Sequence, residues 1–221
     1  DLVSSRGLGD VYKRQFSRVL LGVRVSLSIG FMAVIISNLI GIILGLVSGY
    51  YGGYLDKIIV WIINVFWSIP TLLLVIALSL VLGKGFWQVY IAIGLSIWVD
   101  VARLVRGKVM SEKNKDYVFA SKVLGYGDFK ILLNNILPNI LAPILILSAA
   151  NFASSILLES GLSFLGIGSQ PPTPSWGYMI KENYQYIIFG NSYLIVIPSI
   201  FLISLVLCFY YLSNYFASKN N

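Results

Sequence analysis

The sequence contains no histidine and one cysteine, Cys208, among its 221 residues. Without imidazole there is no His-based acid/base chemistry and no His/Cys metal centre, and a lone thiol excludes an intrachain disulfide. Cys208 sits in the apolar run LISLVLCFYYL and is expected as a buried small side chain. A phosphate loop of the form Gly-x4-Gly-Lys-Ser/Thr is also missing, because LGKGF and RGKVM hold Gly-Lys without the earlier glycine or the hydroxyl. Charge is scarce too: Asp, Glu, Lys and Arg make up 11% of the chain, where soluble domains carry about 25%. These gaps point away from an enzyme, so no catalytic residue, metal or cofactor of the chain's own is expected.

Apolar sequence fills the space. The chain is 57% hydrophobic, with mean hydropathy +0.83. An all-α, polytopic membrane helical bundle follows, because each crossing consumes about 20 apolar residues. Five stretches qualify as spans: 26–49, 58–82, 86–102, 136–158 and 193–216. The net charge of +7 could suggest nucleic acid, but the basic residues flank apolar runs, which is the pattern of membrane topology. Seven of them (Arg103, Arg106, Lys108, Lys113, Lys115, Lys122, Lys130) lie between the third and fourth spans, whereas 161–191 holds only Lys181. The first connection is therefore cytoplasmic and the second external.

Inside the spans a few residues stand out. Gly41, Gly45 and Gly49 follow Ser37 at intervals of four, which leaves one helix face almost bare for close packing of a neighbour. Pro70 is expected to kink the second span. Asn64 and Asn151 are candidates for interhelical hydrogen bonds or a polar pathway. Glu159 requires water or a partner if it lies at membrane depth; Asn151 and Glu159 are the pathway candidates. Asp100 is expected to pair locally with Arg103. After the Pro-rich run QPPTP, Trp176, Tyr178, Tyr184 and Tyr186 read as interfacial anchors around a short helix.

The cytoplasmic loop contains DYVFASKVLGYGDFKILLNNILP, residues 116–138. Asp116 is expected to cap a helix running to Leu124, Gly125 to end it in a left-handed turn, and Asp128 to cap a second helix leading to the next span. Tyr117, Ala120, Ser121 and Leu124 share a face by spacing. From the residues alone, such a knob either lies on lipid headgroups or enters a groove of a soluble partner.

The segments YVFASKVLG and ILPN resemble the cytoplasmic signature of bacterial ATP-binding-cassette importer permeases. FSRVLLGVRVSL, GYYGGYLD, IPTLLLVIAL, ARLVRGKVMS and ESGLSFLGIGSQPPTPSWGYMI follow in the order found in C-type permeases of the dipeptide, oligopeptide and nickel uptake group. The likeness extends from Phe16 to the C-terminus, making 16–221 a transporter transmembrane domain with a coupling loop at about 103–137. It implies a permease of a binding-protein-dependent importer in the bacterial inner membrane, working with a homologous permease, two cytoplasmic ATP-binding subunits and an extracytoplasmic solute-binding protein. ATP would be bound by the partners, and nucleic acid plays no part. In that family the knob is a coupling helix, which assigns Tyr117, Phe119, Ala120, Ser121, Leu124 and Gly125 to the ATPase contact. Phe119 occupies the place of the family's glutamate, and Ser121 that of its second alanine.

Residues 1–15 do not follow the family pattern in register, and the family's earlier span is not found. A foreign or mis-joined first segment, with a sixth span missing, is the expectation. The rival function is an ion-coupled secondary transporter, which would use intramembrane carboxylates and internal repeats. Only Glu159 meets the first requirement, and no repeat is visible.

Overall fold

The computed structural model describes residues 2–83, 85–169, 175–187 and 192–219. The side chains of 1–16, on which the reading of a foreign segment rests, lie outside the described residues. Among those described, regular structure is entirely helical. In chain order the helices are α1 (Leu2–Tyr51), α2 (Gly53–Trp67), α3 (Thr71–Leu82), α4 (Phe86–Glu112), α5 (Asp116–Val123), α6 (Asp128–Ile131), α7 (Leu137–Leu165), α8 (Trp176–Asn183) and α9 (Tyr193–Lys219). A π turn at Leu132–Ile136 joins α6 to α7.

Four stretches are long and apolar enough to cross a bilayer: Ser17–Tyr51, Phe86–Glu112, Asp128–Leu165 and Tyr193–Ser218. The expected second span is a pair of helices, α2 and α3, meeting at 93°. Pro70 makes the difference. It has no N–H to donate and forces Ile69 away from helical geometry, so the chain turns instead of kinking. Pro70 itself is extended, with ψ 126°, and α3 starts immediately after it. Pro138 does not end a helix either. It stands in the first turn of α7, where a missing donor costs least, and the Asn139 amide donates to the Asn135 carbonyl at 2.7 Å in the adjoining π turn.

The packing of α1 on α4 follows from the glycine strip. A Cβ on Gly41 would fall 2.5 Å from Val101 Cβ, on Gly45 2.6 Å from Val105 Cβ, and on Gly49 2.8 Å from Val109 Cβ. Strip and valines advance together by four residues, so the helices lie backbone to side chain over about two turns. Membrane helices gain dispersion contacts this way where hydrophobicity supplies no drive. Helix α7 joins the pair through Asn38, whose amide donates to Ser148 Oγ at 2.8 Å.

Apolar cores mark the two ends of α7. One gathers Tyr50, Val105, Val109, Val118, Ile131 and Ile136 beneath the 116–138 hairpin. The other gathers Val19, Trp176, Met179 and Leu202. Trp176 is therefore not an interfacial anchor: it is buried, and its indole donates to the Val19 carbonyl at 3.0 Å. Ser175 caps α8, accepting from the Tyr178 N–H. The prolines of QPPTP and the Tyr186 side chain lie outside the described residues. Helix α9 touches the bundle along one edge, and Cys208 is exposed on its free face, contrary to its expected burial. Apolar surface there is what a lipid-facing helix presents.

Candidate coupling surface and membrane cavity

Helix α5 is built to stand out from the bundle. Asp116 and Asp128 are the first residues of their helices and not the caps, and the residues before them, Lys115 and Gly127, make no side-chain cap bond. Asp116 opens α5 and Lys122 closes it, each charge favouring the helix dipole at its own end. Gly125, at φ +79°, ends the helix as expected. Its N–H donates to the Lys122 carbonyl, and the Tyr126 N–H to that of Ser121, both closing a left-handed cap.

The faces of α5 differ from the sequence expectation. Val118 and Ser121 are buried and Tyr117 half-buried, so Tyr117 and Ser121 do not share the outward face with Ala120 and Leu124. Each has an internal partner. Tyr117 donates to Glu112 Oε2 at 2.7 Å, and burial, then this bond, pushes its phenol above the ordinary value. Ser121 accepts from the Asn135 amide at 2.7 Å and donates to the Tyr117 carbonyl at 2.8 Å. The outward face consists of Phe119, Ala120, Val123 and Leu124, with Val123 88% and Leu124 71% exposed. Phe129, on α6, extends it.

A polar frame fastens this knob to the spans. Tyr50, ending α1, donates to Asp128 Oδ1 at 2.7 Å. Lys113 Nζ donates to the Gly49 carbonyl at 2.9 Å, satisfying an orphan acceptor at the end of α1. Arg106, on α4, grips Asp56, on α2, with Nε at 2.6 Å and a terminal nitrogen at 2.7 Å, and Ser48 Oγ also donates to that carboxylate. Four helices thereby share one junction. The sequence held a signal for it: Asp56 and Arg106 are opposite charges at span ends placed on the same side by parity.

Away from the knob, a cavity of about 330 Å³ opens between α3, α4 and α7, lined by Thr71, Ile97, Asp100, Asn151, Ser154 and Leu158. Asn151 is buried, and its Nδ2 lacks a hydrogen-bond partner among the described residues. Glu159 is not brought to this cavity. It is fully buried, accepting from Ser163 Oγ at 2.7 Å and weakly from Ser169 Oγ at 3.4 Å, while Oε2 has no close hydrogen-bond partner among the described residues. Helix α8 closes over this end of α7, where a Cβ on Gly177 would collide with the Ser160 carbonyl. Among the described residues Asp100 forms no close salt bridge with Arg103, which acts on it at longer range, and Trp67 donates a hydrogen bond to its carboxylate. Arg103 donates to Asn64 at 3.0 Å and lies 3.6 Å above the Trp67 ring, giving Asn64 its interhelical bond. Among the described residues no cluster of acidic or thiol side chains could hold a metal.

Known proteins are similar to this chain in sequence and in fold. The dipeptide transport system permease protein of Bacillus subtilis is 38% identical over 196 residues, covering 89% of this chain and 61% of its own length. The oligopeptide transport system permease protein of the same organism is 39% identical over 176 residues, 80% of this chain and 58% of its own. The chain thus spans about three fifths of the length of these relatives. In three dimensions it superposes on a chain of an inward-facing methionine ABC transporter with TM-score 0.75 at 17% identity, covering 93% of this chain and 97% of that one. An amino acid ABC transporter gives TM-score 0.70 at 16% identity, with coverage of 95% and 97%. A family profile, that of the binding-protein-dependent transport system inner membrane component, matches residues 41–220. The chain belongs to that family of inner membrane transport components.

Proposed function

We propose that this chain is the membrane-crossing subunit of an ATP-driven, binding-protein-dependent importer of peptides or a related small solute. The observation that carries the reading is the outward face of α5. Phe119, Ala120, Val123 and Leu124 present apolar surface on a short helix whose inner face is fixed by Glu112 and Asn135. An apolar helical ridge on a rigid base suits insertion into a groove of a soluble partner. The relatives' names, dipeptide and oligopeptide transport permeases, support the solute class.

In this reading two cytoplasmic ATP-binding subunits take the ridge of this chain and that of a homologous permease. When they close on ATP, each knob is pulled, and the frame passes the movement to α1, α4 and α7 as one body. The solute, handed over by an external binding protein, moves between the permeases past the cavity that Asn151 lines. ATP is bound and split by the partners; this chain contributes surface and leverage only. Ion-coupled transport receives no support from the family match.

The test is uptake by the complete complex in vesicles. Peptide import that requires ATP and the binding protein, and that survives collapse of proton and sodium gradients, is expected. Import that follows an ion gradient without ATP would overturn the proposal.

A further inference from the structure

The sequence reading placed Asp100 near the cytoplasmic boundary, in an ion pair with Arg103. The structure extends α4 to Glu112, which leaves Asp100 near the middle of a 27-residue helix. Its side chain is exposed and lines the cavity between α3, α4 and α7. Arg103 holds Asn64 and lies over the Trp67 ring, acting on Asp100 only at longer range, while Trp67 donates one hydrogen bond to the Asp100 carboxylate, which keeps acceptor capacity for a further donor. A carboxylate within a membrane-crossing helix is costly unless it faces water or a partner.

Other features converge on the same space. Asn151, at the middle of the 29-residue α7, is 6% exposed and lines the cavity with Nδ2 unpartnered among the described residues. A buried amide donor without an acceptor costs free energy until a ligand supplies one. Thr71 opens α3 at the break after Pro70, so a broken helix borders the cavity. Interrupted helices at mid-membrane are where transporters expose polar groups to solute. The volume, about 330 Å³, falls in the range of small-ligand sites.

The geometry points to a cargo-binding site in which Asp100 receives a terminal ammonium group and Asn151 Nδ2 donates to the neighbouring carbonyl. Asp100 is acceptor-only and an ammonium donor-only, while the amide nitrogen supplies the donor that a peptide carbonyl needs. The Thr71 and Ser154 hydroxyls complete the polar lining. The site rests on the proposal that the cargo is a peptide, and it makes the permease itself selective for a free N-terminus.

The test uses the complete complex in vesicles, with Cys208→Ser to remove the native thiol and Ser154→Cys to report from the cavity. Labelling rates are compared for a cationic and a neutral methanethiosulfonate reagent. The cationic reagent is expected to be favoured, with Asp100→Asn lowering that preference roughly tenfold and Asp100→Glu retaining it. Trialanine is expected to protect the thiol and N-acetyl-trialanine to leave it reactive. A preference unchanged by Asp100→Asn in an assembled complex, or equal protection by both peptides, overturns the site. ATP-driven trialanine uptake by the unsubstituted complex is scored alongside. Uptake combined with an indifferent label overturns this inference alone, whereas no uptake overturns the importer reading on which it rests.

Discussion

Tyr50 donates its hydroxyl to Asp128 at 2.7 Å, tying the last turn of α1 to the first turn of α6 across 78 positions of sequence. The same ring lies 5.6 Å from the Lys122 ammonium of α5. One tyrosine therefore contacts both arms of the hairpin that carries the exposed ridge, and its own helix packs along α4. The knob cannot move far without taking α1 with it.

Tyr50→Phe keeps the ring and removes the bond. The cost to stability is about 0.5–1.5 kcal/mol, because Asp128 is exposed and water replaces the lost donor. The complex should still assemble, with more ATP hydrolysed per solute imported. Parallel measurement of hydrolysis and uptake checks this; an unchanged ratio would show that the tie carries no load.

Gly45→Val should unseat α1 from α4. The first added carbon already falls 2.6 Å from Val105 Cβ and 2.8 Å from the Ala102 carbonyl, so backbone has to yield. Overpacking of this kind costs about 1–3 kcal/mol or more. Gly107→Ala is the contrast: nothing stands within 4 Å of its added carbon, and alanine is the better helix former by about 1 kcal/mol. Melting in detergent should fall for the first variant and hold or rise for the second.

The Arg106–Asp56 pair joins α4 to α2 with side chains 28% and 19% exposed. Asp56→Ala leaves a partly buried guanidinium without its carboxylate, which should cost about 1–2 kcal/mol after allowance for solvent screening. Adding Arg106→Leu should recover part of the loss. A double-mutant cycle on thermal stability measures the coupling, and strict additivity would contradict it.

Phe119→Glu should be tolerated, because it restores the glutamate that the resembled signature carries at this place, while Ala120, Val123 and Leu124 keep the ridge apolar. Phe119 is 52% exposed and supports no core, so a carboxylate there meets water in the isolated chain. Pull-down with the cognate ATP-binding subunit is expected to match that of the unsubstituted permease. Loss of capture would place Phe119 in an apolar pocket of the partner.

How far the sequence reaches can be followed residue by residue. The α1 glycine strip was legible, because an interval of four forces those residues to one face whatever lies opposite. Gly125 was legible for a local reason too, since a left-handed turn excludes most other residues. Tyr117 and Ser121 were misassigned to the outward face because their orientation depends on Glu112 and on Asn135, the latter 14 positions away from Ser121. Trp176 was misread as an interfacial anchor for the same cause: its acceptor, the Val19 carbonyl, lies 157 positions off. Pro70 announced a disturbance, but nothing local distinguishes a kink from a 93° break.

The central claim is that the α5 ridge is seated in a nucleotide-hydrolysing subunit. It is tested most directly by attaching a short photo-crosslinker to Val123→Cys, in a Cys208→Ser background, within the membrane-embedded complex. The account predicts a covalent product with the ATP-binding subunit whose yield changes between nucleotide-free and ATP-bound states. Crosslinks to phospholipid alone, in every nucleotide state, would contradict it.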